Sequence, residues 1–127
     1  MKIFDAWRPY EVQEFLFSVV NNPDYVSPPK GTCGHCRGMA LEITLFHKER
    51  KQELDMGTPF DDFSEKSHVN SDDITKKQGE NRQLLQTIMT ECNFEIYENA
   101  WWHFSHKELK KTPKYKTEGL MRIDSKG

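Results

Sequence analysis

Cysteine is scarce in this 127-residue chain, which has three: Cys33, Cys36 and Cys92. So small and odd a number excludes a disulfide framework as the source of stability and fits a reducing compartment. Long apolar runs are missing as well. No stretch approaches the roughly 20 apolar residues of a membrane span, and "MKIFDAWRPY" meets Asp5 and Arg8 before a signal-peptide core can form. A soluble, cytoplasmic protein with no membrane association is the expectation. An excess of charge of one sign is also lacking: 18 Lys/Arg against 20 Asp/Glu leave a net −2, which gives no electrostatic reason for a nucleic-acid partner. Only the tail is biased, with seven Lys/Arg against three Asp/Glu from Lys107 onward, and such a run reads as solvated. No heptad or surface stripe specifies an oligomeric state.

What is present is enough for one core. The length suits a single domain, and three tryptophans with eight phenylalanines supply bulky residues to fill it. Lys2 to Phe4 reads as a short strand ending at Asp5. "PYEVQEFLFSVV" (9–20) predicts an amphipathic helix with Val12, Phe15, Leu16, Val19 and Val20 on its buried face and Pro9 in its first turn. Prolines break the following segment. From Met39 to Phe46 the period changes to two, so Leu41, Ile43 and Leu45 share one face of a strand and Glu42 points to the other. Residues 47–80 are polar and read as a long connection, and functional loops are a usual reason for such length. "NRQLLQTIMTEC" (81–92) predicts a second helix through Leu84, Leu85, Ile88, Met89 and Cys92, and "FEIY" and "AWWHF" two more strands. The fold class expected is α+β: a small single domain, two helices packed on a partly antiparallel sheet, over residues 1–105, with 106–127 as a basic C-terminal tail.

Two chemistries compete for "TCGHCRGMALE" (32–42). A Cys-x-x-Cys dithiol of the thioredoxin kind follows a buried strand and opens a helix, whose N-terminus acidifies the first thiol. Here "VSPPKGT" precedes it and a strand pattern follows. A structural zinc site needs further soft ligands, and only Cys92 remains. The metal reading instead takes His35, Glu42 and His103: two imidazoles and a carboxylate are a common catalytic zinc set with a fourth position open. Both readings stand on spacing alone, because any chain with five histidines offers such combinations. Arg8, taken by itself, reads as a surface ion pair.

Four blocks occur together and in order: "DAWRP" (5–9), "CGHCRGMALE" (33–42), "MGTPFDDFSEKSH" (56–68) and "AWWHF" (100–104). In that combination the chain resembles the bacterial VanX-type zinc D-alanyl-D-alanine dipeptidases, over nearly all of residues 3–104. The family pattern Ser-x-His-x-x-Gly-x-Ala-x-Asp is matched at His35, Gly38 and Ala40, and Glu-Trp-Trp-His at Trp101, Trp102 and His103. The resemblance implies one Zn2+ per chain, at the sheet, on His35, Glu42 and His103. It implies Arg8 as the group that stabilises a developing oxyanion, Cys33 and Trp102 at the substrate, and a small peptide such as D-Ala-D-Ala as that substrate.

The chain departs from the pattern at three site positions. Glu42 stands where the family has aspartate, one methylene longer. Cys33 replaces a serine, and a thiol is the weaker donor. Ala100 falls where the family has its catalytic glutamate, the general base and then acid of the hydrolysis. Losing a positioned base costs on the order of 10²–10⁴ in rate. Glu98 is set about 7 Å from position 100 in extended chain and Glu95 farther, too far to substitute without a backbone shift. The family also carries a segment before the Asp-x-x-Arg-Pro block, so a start at Met1 leads to the expectation of either a more open pocket or a shortened relative. The function implied is slow zinc-dependent hydrolysis of D-Ala-D-Ala or a related D,D-peptide. The alternatives are a non-catalytic, zinc- and peptide-binding relative and, from the Cys-x-x-Cys alone, a dithiol oxidoreductase.

Overall fold

The computed structural model describes residues 1–28 and 33–111. Residues 29–32 of the proline-rich loop and 112–127 of the basic tail lie outside the described residues. The chain runs β1 (Lys2–Asp5), α1 (Tyr10–Val20), β2 (Ala40–Thr44), β3 (Phe46–His47), β4 (Gln52–Glu53), a single 3-10 turn (Glu65–Ser67), α2 (Lys76–Glu91), β5 (Phe94–Tyr97), β6 (Ala100–His106) and α3 (Lys107–Lys110). Four strands make the main sheet in the order β1-β2-β6-β5, and β3 pairs with β4 in a small ribbon. Every strand pair is antiparallel. The fold is α+β, as the sequence predicts, with α3 as a third, short helix.

The register decides where the chemistry goes. In the β2–β6 ladder Glu42 lies directly across from His103, Leu41 from Phe104 and Ala40 from Ser105. Cross-strand partners sit about 4.5–5.5 Å apart at Cβ, so the ladder alone brings a carboxylate and an imidazole together. Ile43, Leu45, Leu85, Met89, Trp101 and Phe104 fill the core. Burying each such large side chain contributes about 1.5–3 kcal/mol. Both faces of β2 are covered, since Glu42 and Thr44 are buried along with Ile43 and Leu45; the period-two pattern separates the two faces without showing that the polar one is enclosed.

The helices correct the sequence reading in two ways. In α1 the expected core face is largely outside: Val12, Phe15 and Val19 are exposed, Phe15 and Val19 at 66%. Leu16 and Val20 are half-buried, and the one fully buried residue is Gln13. Periodicity shows that a helix has an apolar stripe but not what covers it. Here the inward side is chosen by hydrogen bonds, because Gln13 accepts from Arg8 at 2.7 Å and donates to the Ser27 carbonyl at 2.7 Å. The second helix begins at Lys76 rather than in the low eighties. Its start is a capping box: Thr75 accepts from the Gln78 N–H, and the Gln78 side chain accepts from the Thr75 N–H. Leu85 and Met89 are buried as expected, but Leu84 and Cys92 are exposed, while Asn81 and Arg82 are buried. Among the described residues, no helix is long and apolar enough to cross a membrane.

Candidate metal centre

Three of the residues singled out from sequence converge. His35, Glu42 and His103 offer ligand atoms that all lie within 4.8 Å of one another, in a group that could hold a metal ion. His35 Nε2 is 2.9 Å and His103 Nδ1 3.6 Å from the same oxygen, Glu42 Oε1. The two imidazoles meet edge to face at 5.1 Å between centroids. Strands β2 and β6 supply Glu42 and His103, while His35 comes from the turn before β2. That turn is shaped by Gly38, whose φ of 68° favours glycine, and it is held to the start of the chain by the Arg8 N–H donating to the His35 carbonyl at 3.2 Å.

The donor set passes a chemical test for a cation. A carbonyl only accepts, so the 2.6 Å contact between His35 Nδ1 and the Ala6 oxygen makes Nδ1 the protonated nitrogen. The other nitrogen, Nε2, then presents a lone pair to a carboxylate oxygen 2.9 Å away. Two acceptors at that distance need positive charge between them, supplied by a second imidazole proton or by a metal ion. Holding the far nitrogen of a ligating histidine on a backbone carbonyl is the usual way to aim it. Glu42 Oε2, moreover, is buried and makes no hydrogen bond among the described residues. Desolvation pushes the Glu42 carboxyl upward, but the neighbouring His103 and His35 imidazoles outweigh it and lower the pKa to about 2. The carboxylate is therefore ionised throughout the physiological range.

Arg8 flanks this group and is no surface ion pair. Its side chain is mostly buried, with Nε donating to Asp5 Oδ2 at 3.1 Å, Nη2 to the same oxygen and Nη1 to Gln13. Nη2 lies 3.9 Å from Glu42 Oε1. Asp5 and Gln13 take three of the five guanidinium N–H groups, which leaves two. A cavity of about 220 Å³ is lined by Arg8, Cys33, His35, Glu42, Tyr97 and His103 among others. A smaller one of about 100 Å³ adjoins the same carboxylate and brings Ala100, Trp102 and His103 together with Tyr25 and Phe63. Every predicted site residue thus borders one of the two cavities. The carboxylates weighed as stand-ins at position 100 do not: Glu95 is ion-paired with Lys110, and Glu98 is exposed beyond the end of β5.

Sequence reasoning missed part of the wall. Tyr97 packs on His103 at 5.5 Å and donates its hydroxyl to the Asp24 carbonyl; Tyr25 stacks on Phe63 and lies 3.4 Å by its hydroxyl from His68 Nε2. Asp61, in the left-handed region at φ 61°, is raised to about 6 by desolvation of its carboxyl and then by the charge of Glu42. Asp61, Phe63 and His68 fall in the 56–68 block and the long 47–80 connection, whereas nothing in the sequence marked Tyr25 or Tyr97 as site residues. The two cysteines, by contrast, lie in a turn that leads into a strand. The Cys36 N–H donates to Cys33 Sγ at 3.1 Å, and burial pushes the Cys36 thiol upward, away from thiolate chemistry.

Comparison with known proteins agrees with this geometry. A family profile described as D-ala-D-ala dipeptidase matches residues 1–118. The chain is 37% identical over 102 residues to a D-alanyl-D-alanine dipeptidase of Escherichia coli K12, covering 80% of this chain and 52% of that protein. It is 36% identical over 70 residues to one of Enterococcus faecium, covering 55% of this chain and 35% of that protein. A third, from Streptomyces coelicolor, is 35% identical over 75 residues, covering 59% of this chain and 37% of that protein. The chain thus spans about half or less of the length of these relatives.

Proposed function

We propose that this chain, which belongs to the D-ala-D-ala dipeptidase family, is a zinc-dependent peptidase that hydrolyses D-Ala-D-Ala or a closely related short D,D-peptide, and does so slowly. The observation that carries the reading is the convergence of His35 and His103 on the ionised, buried carboxylate of Glu42 beside a fixed guanidinium. Two imidazole nitrogens and a carboxylate oxygen suit Zn2+ and leave a position open for chemistry. When bound there, zinc would supply a Lewis acid that polarises the scissile carbonyl and acidifies water. The protein's own residues do the rest. Glu42 and His103 are aimed by the β2–β6 register, and His35 by its bond to Ala6. Arg8, immobilised by Asp5 and Gln13, offers its remaining donors to the oxygen on which negative charge grows. Cys33 and Trp102, on the cavity walls, are assigned to substrate contact.

The weak point of the machinery is Ala100, which brings no carboxylate to the cavity, and this favours one second reading: a relative that binds zinc and peptide without turnover. The test is release of D-alanine from D-Ala-D-Ala by the purified chain, with and without chelator. Turnover that disappears with the metal and returns with zinc supports the peptidase; tight dipeptide binding with no turnover supports the binder; neither binding nor turnover contradicts both.

Two further results are expected. Arg8→Ala lowers kcat by about 10²–10³, the usual cost of one oxyanion donor, with zinc content unchanged, as steady-state kinetics beside metal analysis will show. Cys33→Ala combined with Cys36→Ala leaves the zinc stoichiometry intact, whereas His103→Ala loses it. The opposite pattern, function lost with the thiols and kept without His103, is what a dithiol oxidoreductase requires.

A further inference from the structure

Arg82 is the most deeply buried charged residue among those described, at 2% exposure, and the catalytic reading makes no use of it. Its guanidinium meets main-chain oxygens alone in its hydrogen bonds. Nε donates to the Met56 carbonyl at 2.6 Å, Nη2 to that of Lys66 at 2.9 Å and Nη1 to that of His68 at 2.9 Å. These acceptors stand at the two ends of one segment, 56–68, so a single side chain closes that segment into a loop. The same helix face helps: Asn81 donates to the Asp55 carbonyl and Gln78 to the Asp55 carboxylate, both at 2.9 Å, and positions 78, 81 and 82 are neighbours on a helix. Gly57 permits the close approach, since a Cβ there would stand 2.9 Å from Ile74 and 3.0 Å from Gln78.

The other side of the loop faces the site. Thr58 Oγ1 accepts from Trp101 Nε1 at 2.7 Å and bonds Ser67 across the loop. Phe60 stacks on Phe4 and meets Trp102 edge to face. Phe63 lines the cavity beside Ala100 and His103.

We infer that Arg82 is a positioning residue for the substrate cavity: gripping residues 56, 66 and 68 from behind, it fixes the loop that brings Phe63 to the cavity and Phe60 against its neighbour Trp102. The inference rests on reading that cavity as the peptide site. A planar fork with permanent charge can serve three carbonyls at once in fixed directions, which a lysine ammonium cannot do from one point. Burying a guanidinium is costly, and a helix needing only a packed core would place an apolar residue there. Gripping the ends also removes the chain entropy that a free segment of this length would otherwise spend on ordering.

The experiment uses the full chain carrying Arg82→Lys or Arg82→Met, with amide hydrogen exchange, zinc affinity and D-Ala-D-Ala kinetics measured on each. Hydrogen bonds to a charged group are worth about 1.5–3 kcal/mol, so exchange at the hydrogen-bonded amides of the gripped segment, Gly57, Ser64, Ser67 and His68, should quicken by roughly 10- to 100-fold. Exchange in β2 and β6 and the zinc affinity should stay within about threefold, and KM should rise with kcat less affected. Guanidinium at millimolar concentration should partly restore protection to an Arg82→Ala chain. Unchanged exchange at those four amides overturns the inference. So does acceleration that spreads equally to β2 and β6 with zinc lost in parallel, which would make Arg82 a support of the whole fold. A wild-type chain that neither binds nor cleaves the dipeptide defeats the functional reading instead, and exchange at Gly57, Ser64, Ser67 and His68 still decides whether Arg82 holds the loop.

Discussion

Ala100→Glu is expected to raise D-Ala-D-Ala hydrolysis by about 10²–10⁴-fold, the range a positioned general base contributes, while the zinc content stays the same. Position 100 opens β6 and is buried. Its methyl group borders a cavity of about 100 Å³ that it shares with Glu42, Trp102 and His103. A carboxylate grown from that Cβ would enter the cavity, beside the metal ligands, where it could take a proton from the attacking water and hand it to the leaving amine. Neither neighbouring glutamate does this in the native chain, since Glu95 is bound to Lys110 and Glu98 is exposed in the turn. The gain should appear in kcat more than in KM, because proton transfer is a transition-state contribution. Ala100→Gln, with the same bulk and no base, separates chemistry from packing: it should show none of the gain. If Ala100→Glu binds zinc and dipeptide and still remains at background, the peptidase assignment is in error.

The second large effect belongs to Glu42. Glu42→Ala should weaken zinc binding by about 10²–10³-fold. Structural zinc sites of four ligands bind with some 10–16 kcal/mol, which gives roughly 2.5–4 kcal/mol per ligand, and about 1.4 kcal/mol is tenfold. The substitution also removes the charge between His35 and His103, so both imidazoles lose the partner that orients them. Glu42→Asp is the informative contrast. It keeps the charge, shortens the reach by one methylene and restores the family's residue, so affinity should stay within about tenfold of the native chain. Competition titration against a chelator of known zinc affinity measures both variants on one scale.

How much of this was legible in the sequence varies by residue type. The strands that carry the site were readable because alternation over Leu41, Ile43 and Leu45 and the aromatic run at 100–104 are strong signals, and they bracket Glu42 and His103 correctly. The pairing of those strands was not readable: nothing local says that position 42 faces position 103. The metal group itself came from the ordered blocks, and the ladder then explained it physically. Three features were hidden because polar residues in a helix pattern read as solvent-facing. Gln13 and Arg82 are buried for their hydrogen bonds, against the apolar periodicity of α1 and α2, and Thr75 with Gln78 starts α2 earlier by a cap that hydrophobic counting ignores. The outward Val12, Phe15 and Val19 are the converse case, since a stripe is a property of one helix and burial is a property of its neighbours.

The central claim is that His35, Glu42 and His103 form a zinc site, and metal analysis of the purified chain tests it most directly. After dialysis against zinc and removal of excess, the account predicts about one zinc per native chain and little in His35→Ala or His103→Ala chains that remain folded by circular dichroism. A folded native chain that retains no zinc, and shows no affinity for it in a competition titration, would contradict the account at its centre.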